Sequence, residues 1–365
     1  MSILGFEILS KLGQGTNSAV YKVRRVYDSK IYALKKVFIS NLNQKELENA
    51  VNEIRIIASI KHPNVISYID SFYLEPDKSL CLITEYADSG DLYKKIQKHK
   101  KLKIHFEENF IWSVLFQITQ GLNALHNLGI FHRDIKSANV FLNKDGSVKL
   151  GDFGISKVSS DGFLKTQTGT PYYASPEVWG ETRYTKKCDI WSLGCVVYEI
   201  MGLKLPFRGK DMQELQSNVQ KCIYKPIVKG YSDEIVQLME KLLSPDPDLR
   251  PSCDEILMLE GVRNRMSGKN MVKSQSVLLE KISIPCQSDF SYIVLPQADY
   301  GKDEMRDGKR KRVLPRLKLQ GCATRIELHR TIENSVDRLK RIKDVYLSPR
   351  KQFLSPQFKT SRFEL

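Results

Sequence analysis

The stretch Phe131-His132-Arg133-Asp134-Ile135-Lys136-Ser137-Ala138-Asn139, with Asp152-Phe153-Gly154 close behind it, decides the reading of this chain. Between the two lie Val140–Leu142 and Ser147–Leu150, strand-forming runs on either side of Asn143-Lys144-Asp145-Gly146. Asp-Gly between two apolar runs is a hairpin signal. A hairpin returns its end to its start, so Asn139 at the entrance and Asp152 at the exit meet in space. Together they offer two oxygen-bearing side chains of the kind that suits a hard cation such as Mg²⁺. Asp134 lies just upstream, within reach of a hydroxyl that must give up its proton.

Working back toward the N-terminus, Phe6–Leu12, Ala19–Val26 and Ile31–Val37 alternate as strands do. The turn Gly13-Gln14-Gly15-Thr16-Asn17-Ser18-Ala19-Val20 joins the first two, and its glycines allow backbone amides to approach a phosphate. Read alone it is equally a plain hairpin, and its place before a strand rather than a helix speaks against a dinucleotide-binding fingerprint. Period-two alternation puts Lys35 on one face with Ile31, Ala33 and Val37, and Lys36 on the other. Asn43 with Glu46 reads as a helix start, and Leu47, Val51, Ile54 and Ala58 follow at helical spacing. Glu53 falls at the edge of that stripe, where it meets an inward Lys35, since an unpaired buried charge costs several kcal/mol. At this point a structural salt bridge is the alternative reading of the pair. Two more strands, Ile69–Phe72 and Leu80–Glu85, close the sheet-rich part, and longer helical patterns such as Glu108–Leu125 and Ile190–Met201 dominate beyond Asp91.

The 365 residues are 41% hydrophobic, enough for a sizeable core. No stretch approaches the ~20 apolar residues of a membrane span, and the first residues lack a signal-peptide pattern, so a cytoplasmic or nuclear protein is expected. Seven scattered cysteines without a Cys-x-x-Cys pair argue against a disulfide framework or structural zinc. The net charge is +15, of which residues 266–365 carry +10. That segment is rich in Ser, Lys, Arg and Pro, so the expected division is a folded domain over 1–265 and a basic, largely disordered regulatory tail over 266–365.

Taken together, the Gly13 turn, the Ala-x-Lys of Lys35, the His-Arg-Asp and Asp-Phe-Gly triplets and Ser175-Pro176-Glu177 resemble the signature set of eukaryotic protein kinases over about residues 6–262. The resemblance implies an α+β fold of two lobes, a β-rich small lobe over about 1–87 with one main helix and a larger helical lobe over about 91–265. It implies ATP and Mg²⁺, with Lys35 on the α- and β-phosphates and positioned by Glu53, Asp134 as catalytic base, and Asn139 and Asp152 on the metal. Gly13, Gly15 and Ser18 would cover the phosphates. Leu12, Val20, Ala33 and Phe141 would sandwich the adenine, Thr84 would be the gatekeeper, and Glu85–Ala87 the hinge. Lys136 looks like the serine/threonine-kinase form of the loop, its charge set to neutralise the transferring phosphoryl group. Thr170 resembles the threonine that bonds base and lysine in this class, and Ile155 favours threonine acceptors.

Local strings such as HRDIKSANVFL at 132–142, LGDFG at 150–154, GTPYY at 169–173 and DIWSLGC at 189–195 look most like NIMA-related kinases, which act in mitosis, at centrosomes and in cilia. Two departures, Ser18 for the third glycine and Ser175 for the alanine of Ala-Pro-Glu, remove no catalytic group. Glu177 should pair with Arg250. Thr166, with Thr168 nearby, matches the activating position, where a phosphate added by an upstream kinase or by autophosphorylation would dock on Arg133. Tyr68 matches a tyrosine that blocks the site in some relatives, although it reads more simply as a packed side chain.

In the tail, Lys309-Arg310-Lys311-Arg312 reads as a nuclear import signal, a patch for acidic partners or a solvated charge run, and the basic tail as a whole would suit an acidic protein, microtubules or nucleic acid. Residues 326–344 have a short helical pattern, and Ser348-Pro349 and Ser355-Pro356 resemble proline-directed phosphorylation sites, a pairing that also arises by chance in such tails. The expected location is the cytoplasm, with centrosome, basal body, cilium or nucleus as finer possibilities. The competing readings are a pseudokinase scaffold, whose mark of a missing lysine, base or metal residue is absent from this sequence, and a binding protein driven by the tail.

Overall fold

The computed structural model describes residues 2–15, 17–74, 78–152, 171–180, 184–227, 230–266, 295, 296 and 299. All of them belong to one compact unit, Met1–Arg306. The expectations placed on Ile155, Thr166, Thr168 and Thr170, and on the stretches 309–312, 326–344 and 348–356, lie outside the described residues.

The small lobe is an antiparallel sheet in the order β1-β2-β3-β4-β6-β5. Its strands are β1 (Ser2–Ile3), β2 (Phe6–Gln14), β3 (Ser18–Arg25), β4 (Ile31–Phe38), β5 (Tyr68–Leu74) and β6 (Ser79–Glu85). β2 is irregular: its pairing with β3 slips between Ile8 and Ser10 and again between Lys11 and Gly13. Such bulges bend the strand and raise its twist just where it enters the glycine turn. On one face Phe6, Val23, Tyr32, Leu34, Cys81 and Ile83 form a separate small core, while Leu80 and Leu82 point into the main one. Both faces of β6 are therefore covered, which accounts for its unbroken apolar run.

Between β4 and β5 runs α1 (Gln44–Ser59), started by a reciprocal capping box. The Asn43 side chain accepts from the Glu46 N–H at 2.9 Å and the Glu46 carboxylate accepts from the Asn43 N–H at 2.9 Å. The buried stripe is Leu47, Val51, Ile54 and Ile57 rather than Ala58, which is only half-buried. Lys36 takes the face opposite Lys35, as alternation implies. Its face of β4 carries Tyr32 and Leu34 and is covered, so the lysine is buried with its ammonium 5.5 Å from the Phe38 ring centre.

The large lobe holds α2 (Leu92–Leu102), α3 (Glu108–Asn127), the hairpin β7 (Val140–Leu142) and β8 (Val148–Leu150), α4 (Pro176–Trp179), α5 (Lys186–Gly202), α6 (Met212–Gln220), α7 (Asp233–Leu242), α8 (Cys253–Met258) and α9 (Glu260–Met266). α3 and α5 are buried along nearly their whole length, with Trp112 and Trp191 fully enclosed. Burying a large apolar side chain contributes roughly 1.5–3 kcal/mol, so these two helices form the lobe's foundation. Among the described residues no helix is long and apolar enough to cross a membrane. Cys81, Cys188, Cys195, Cys222 and Cys253 are free thiols.

The lobes are stitched through the linker 60–67. Asn64 accepts the Leu150 N–H at 2.9 Å, the Ile66 N–H donates to the Leu150 carbonyl at 2.7 Å, and the Asn64 amide donates to the Val148 carbonyl at 2.8 Å. Gly121 of α3 lies under the same turn, where an added Cβ would come within 2.6 Å of the Asn64 carbonyl oxygen, so a glycine is required. Leu295, Pro296 and Asp299, beyond the expected domain boundary, lie against the small lobe.

Candidate active site

The hairpin forms as its turn residues dictate. Gly146 takes φ 80°, and the Asn143 N–H donates to the Ser147 carbonyl at 3.0 Å. Val140 pairs with Leu150, and just outside the ladder the Gly151 N–H donates to the Asn139 carbonyl at 3.1 Å. Asn139 and Asp152 are thereby neighbours, with the Asn139 amide 3.4 Å from the Asp152 carbonyl oxygen. That amide also donates to the Asp134 carbonyl at 2.8 Å and to its carboxylate at 2.9 Å. The Lys136 ammonium sits 2.9 Å from the same carboxylate oxygen. Asp134, Lys136 and Asn139 thus form one hydrogen-bonded group.

From the small lobe, Lys35 reaches into the cleft. Its ammonium lies 3.0 Å from Glu53 on α1 and 2.6 Å from Asp152. Burial works against its charge, but Glu53 and Asp152 outweigh that cost and raise its pKa above the ordinary lysine value. Lys35 is therefore a fixed cation joining α1, β4 and the hairpin exit.

The positions expected to enclose a nucleotide share the cleft side of the sheet. Val20 stands opposite Lys35, and Ala33 opposite Thr84. Leu12 sits in the second β2 bulge and is 39% exposed, an apolar side chain with room for a partner. The Gly15 N–H donates to the Ser18 carbonyl at 2.8 Å, and a side chain at Gly15 would meet the Ser18 hydroxyl at 2.9 Å, so the small residue at 18 fits a tight turn after Gly13. Phe141 packs against Gly151, which places its ring on the opposite wall, next to Asp152. Ala87 is buried. The Glu85 carboxylate is engaged by the Ser67 N–H at 2.7 Å and by Lys149 at 2.8 Å, so at Glu85 the hinge offers main chain rather than side chain.

Several functional residues had no role assigned from sequence. Asp189, fully buried on α5, accepts the His132 and Arg133 N–H groups at 3.0 Å each, the Tyr184 hydroxyl at 2.6 Å, and lies 2.9 Å from His126. Burial alone would raise its pKa, but these bonds hold the carboxyl below its usual range. It fixes the backbone of the loop that carries Asp134, including Arg133 at φ 65°. The visible signal was an acid near the start of a helix that is apolar along most of its length. His132 is also fully buried, and burial holds it neutral by lowering its pKa.

Other sequence expectations find definite places. Arg250 grips Glu177 at 2.6 and 2.9 Å, a bidentate pair. Tyr68 is buried, its hydroxyl 2.9 Å from both Ser71 and the Pro296 carbonyl, which makes it a packed tyrosine. Arg133 stacks 5.8 Å from the Phe131 ring centre and 6.0 Å from that of Tyr184. Its buried Nε has no hydrogen-bond partner among the described residues, and burial lowers the guanidinium pKa.

The arrangement can hold a polyphosphate at Lys35, bind a hard cation at Asn139 and Asp152, and present Asp134 to a hydroxyl. Comparison with known proteins agrees. The protein kinase domain family matches residues 6–260. The probable serine/threonine-protein kinase nek2 of Dictyostelium discoideum is 36% identical over 256 residues, covering 69% of this chain and 61% of that protein. Human serine/threonine-protein kinase Nek2 is 35% identical over 259 residues, covering 69% and 58%. The G2-specific protein kinase nim-1 of Neurospora crassa is 34% identical over 303 residues, covering 76% and 35%. The chain thus spans 61% or less of the length of these relatives.

Proposed function

The chain belongs to the protein kinase family, and from that premise we propose that it transfers the γ-phosphoryl group of ATP to serine and threonine hydroxyls of proteins, as a NIMA-related kinase. The observation that carries the reading is the meeting of two groups across the cleft: Lys35–Glu53–Asp152 from above and Asp134–Lys136–Asn139 from below.

A kinase domain requires ATP and Mg²⁺ in general, and the residues present fit both. The donor set at Asn139 and Asp152 is hard oxygen, and Asn139 spends its amide N–H groups on Asp134 and Asp152, leaving its carbonyl oxygen for a cation. One or two such ligands together with substrate phosphates is the usual way Mg²⁺ is held. When bound, the ion neutralises charge on the phosphates. Lys35 orients the α- and β-phosphates, and Glu53 fixes Lys35. Asp134 accepts the proton of the attacking hydroxyl, and Lys136 stands beside it to offset negative charge on the transferring group. Asp189 keeps the loop in register so that none of these groups must reorganise during the reaction.

Activation by phosphate on Thr166 belongs to the same proposal. Arg133 supports it, since a desolvated guanidinium with an unsatisfied N–H is a ready receiver for an anion. The name of the G2-specific kinase nim-1 assigns a cell-cycle task to that protein; we extend a cell-cycle role, at a centrosome or cilium, to this chain on the resemblance alone. The basic tail is proposed to contact acidic partners on the strength of its charge.

The test is transfer of labelled phosphate from ATP·Mg²⁺ to a generic protein substrate, with the modified residues mapped. Asp134→Asn should lose on the order of 10²-fold or more of the wild-type rate while remaining folded. Label on tyrosine, or an Asp134→Asn protein as active as wild type, overturns the assignment.

A further inference from the structure

One side of the small-lobe sheet ends at β5, and a bare sheet edge presents main-chain groups able to pair with another extended segment. Here the pairing of β5 with β6 steps over Ile69, between Tyr68 and Asp70. The skipped carbonyl is taken by the Asp299 N–H at 2.6 Å, as when a peptide adds to a sheet edge. Three contacts accompany it. The Tyr68 hydroxyl donates to the Pro296 carbonyl at 2.9 Å, which leaves the Ser71 hydroxyl to donate to Tyr68. The Asp299 carboxylate pairs with Lys61 at 2.5 Å. Leu295 packs against the main core.

The footprint matters because of what lies beneath it. Lys61 stands just after α1, which carries Glu53, and Tyr68 and Ile69 open β5. Between them runs the linker whose Asn64 and Ile66 bond to Leu150, two residues before Asp152. Lys61, Tyr68 and Ile69 therefore bracket the segment that ties α1 to the hairpin. We infer that Leu295, Pro296 and Asp299 form a cis-docking clip whose seat on Lys61, Tyr68 and Ile69 favours the arrangement in which Glu53 meets Lys35, so that these residues beyond the catalytic domain are positioning residues for transfer. The inference rests on the kinase reading. The clip shifts the equilibrium only by its differential affinity for the two states of α1, and four modest contacts place that coupling in the range of about three- to ten-fold.

The experiment uses the full chain with Leu295→Asp, which removes the apolar anchor, and separately Asp299→Pro, which removes the N–H given to Ile69. Amide hydrogen exchange is followed over α1, the linker and β5, together with kcat and KM for ATP·Mg²⁺ and protein substrate. Both variants should speed exchange there, leave α3 and α5 unchanged, and lower kcat about three- to ten-fold with little change in protein-substrate KM. Reversing the ion pair, Lys61→Glu with Asp299→Lys, should recover part of what Lys61→Glu alone loses. Unchanged exchange in both variants overturns the docking. Faster exchange with unchanged kcat overturns the positioning role, and a rise in kcat would make the segment a brake instead. A wild-type chain that transfers no phosphate overturns the kinase reading and the positioning role with it, whereas the exchange difference would still stand, so the two failures are told apart.

Discussion

Two ion pairs of similar length do different work in this molecule. Lys35 and Glu53 meet at 3.0 Å with the lysine side chain 27% exposed, and Asp152 joins them from the other lobe. Arg250 and Glu177 meet at 2.6 Å with the arginine side chain fully enclosed, and the guanidinium also donates to the Ser244, Pro245 and Lys187 carbonyls. The second pair spends its hydrogen-bonding capacity inside the protein and lies over Trp191, 5.0 Å from its ring centre. The first keeps an open side toward the cleft. A pair that satisfies itself holds structure, and a pair that shares its charge with a third group from across a cleft is ready for a ligand.

The comparison predicts separable losses. Arg250→Leu leaves Glu177 buried without its cation and should cost about 3–5 kcal/mol in chemical denaturation. Lys35→Met should lower phosphoryl transfer on the order of 10²-fold while costing only ~1 kcal/mol or less of stability, because its surroundings are partly wet and Glu53 can take up a proton. If the two substitutions destabilise equally, the distinction between them fails.

Acid sharpens the contrast at the linker. His62 is buried and accepts the Asn64 N–H at its Nδ1 at 3.1 Å, and burial, helped by Lys149, lowers its pKa to about 4. The unfolded chain, with an ordinary histidine pKa of about 6.5, takes up the proton first. His62's contribution is therefore complete above pH ~6.5 and is lost as pH falls toward ~4, about 3 kcal/mol in all. Urea titrations across that window should show the slope, and His62→Gln should flatten it. The smallest effect is expected at the α1 cap, where Asn43→Ala should cost about 1 kcal/mol and hasten exchange in the first turn of that helix.

Much of the site could be read along the chain because its parts are local. The Asp145-Gly146 turn alone brings Asn139 to Asp152, and strand alternation plus helical spacing were enough to face Lys35 with Glu53. Asp189 escaped because the backbone groups it holds lie more than fifty residues away, and no periodicity records which N–H groups a buried acid will collect. Lys36 shows the converse limit: alternation placed it on the right face but does not tell whether that face meets water, and here it is covered. The contact of Leu295, Pro296 and Asp299 was invisible, since its partners lie more than two hundred residues upstream and two of its hydrogen bonds run through main-chain groups that carry no side-chain signal.

The close approach of Asn64 to Gly121 gives the molecule a fulcrum. Because no side chain intervenes between linker and α3 there, the linker rests directly on the α3 backbone, and any larger residue at 121 would push the two apart. The same few residues, with Ile66 and Leu150 bonded alongside, thus form the point where the two lobes are pinned main chain to main chain.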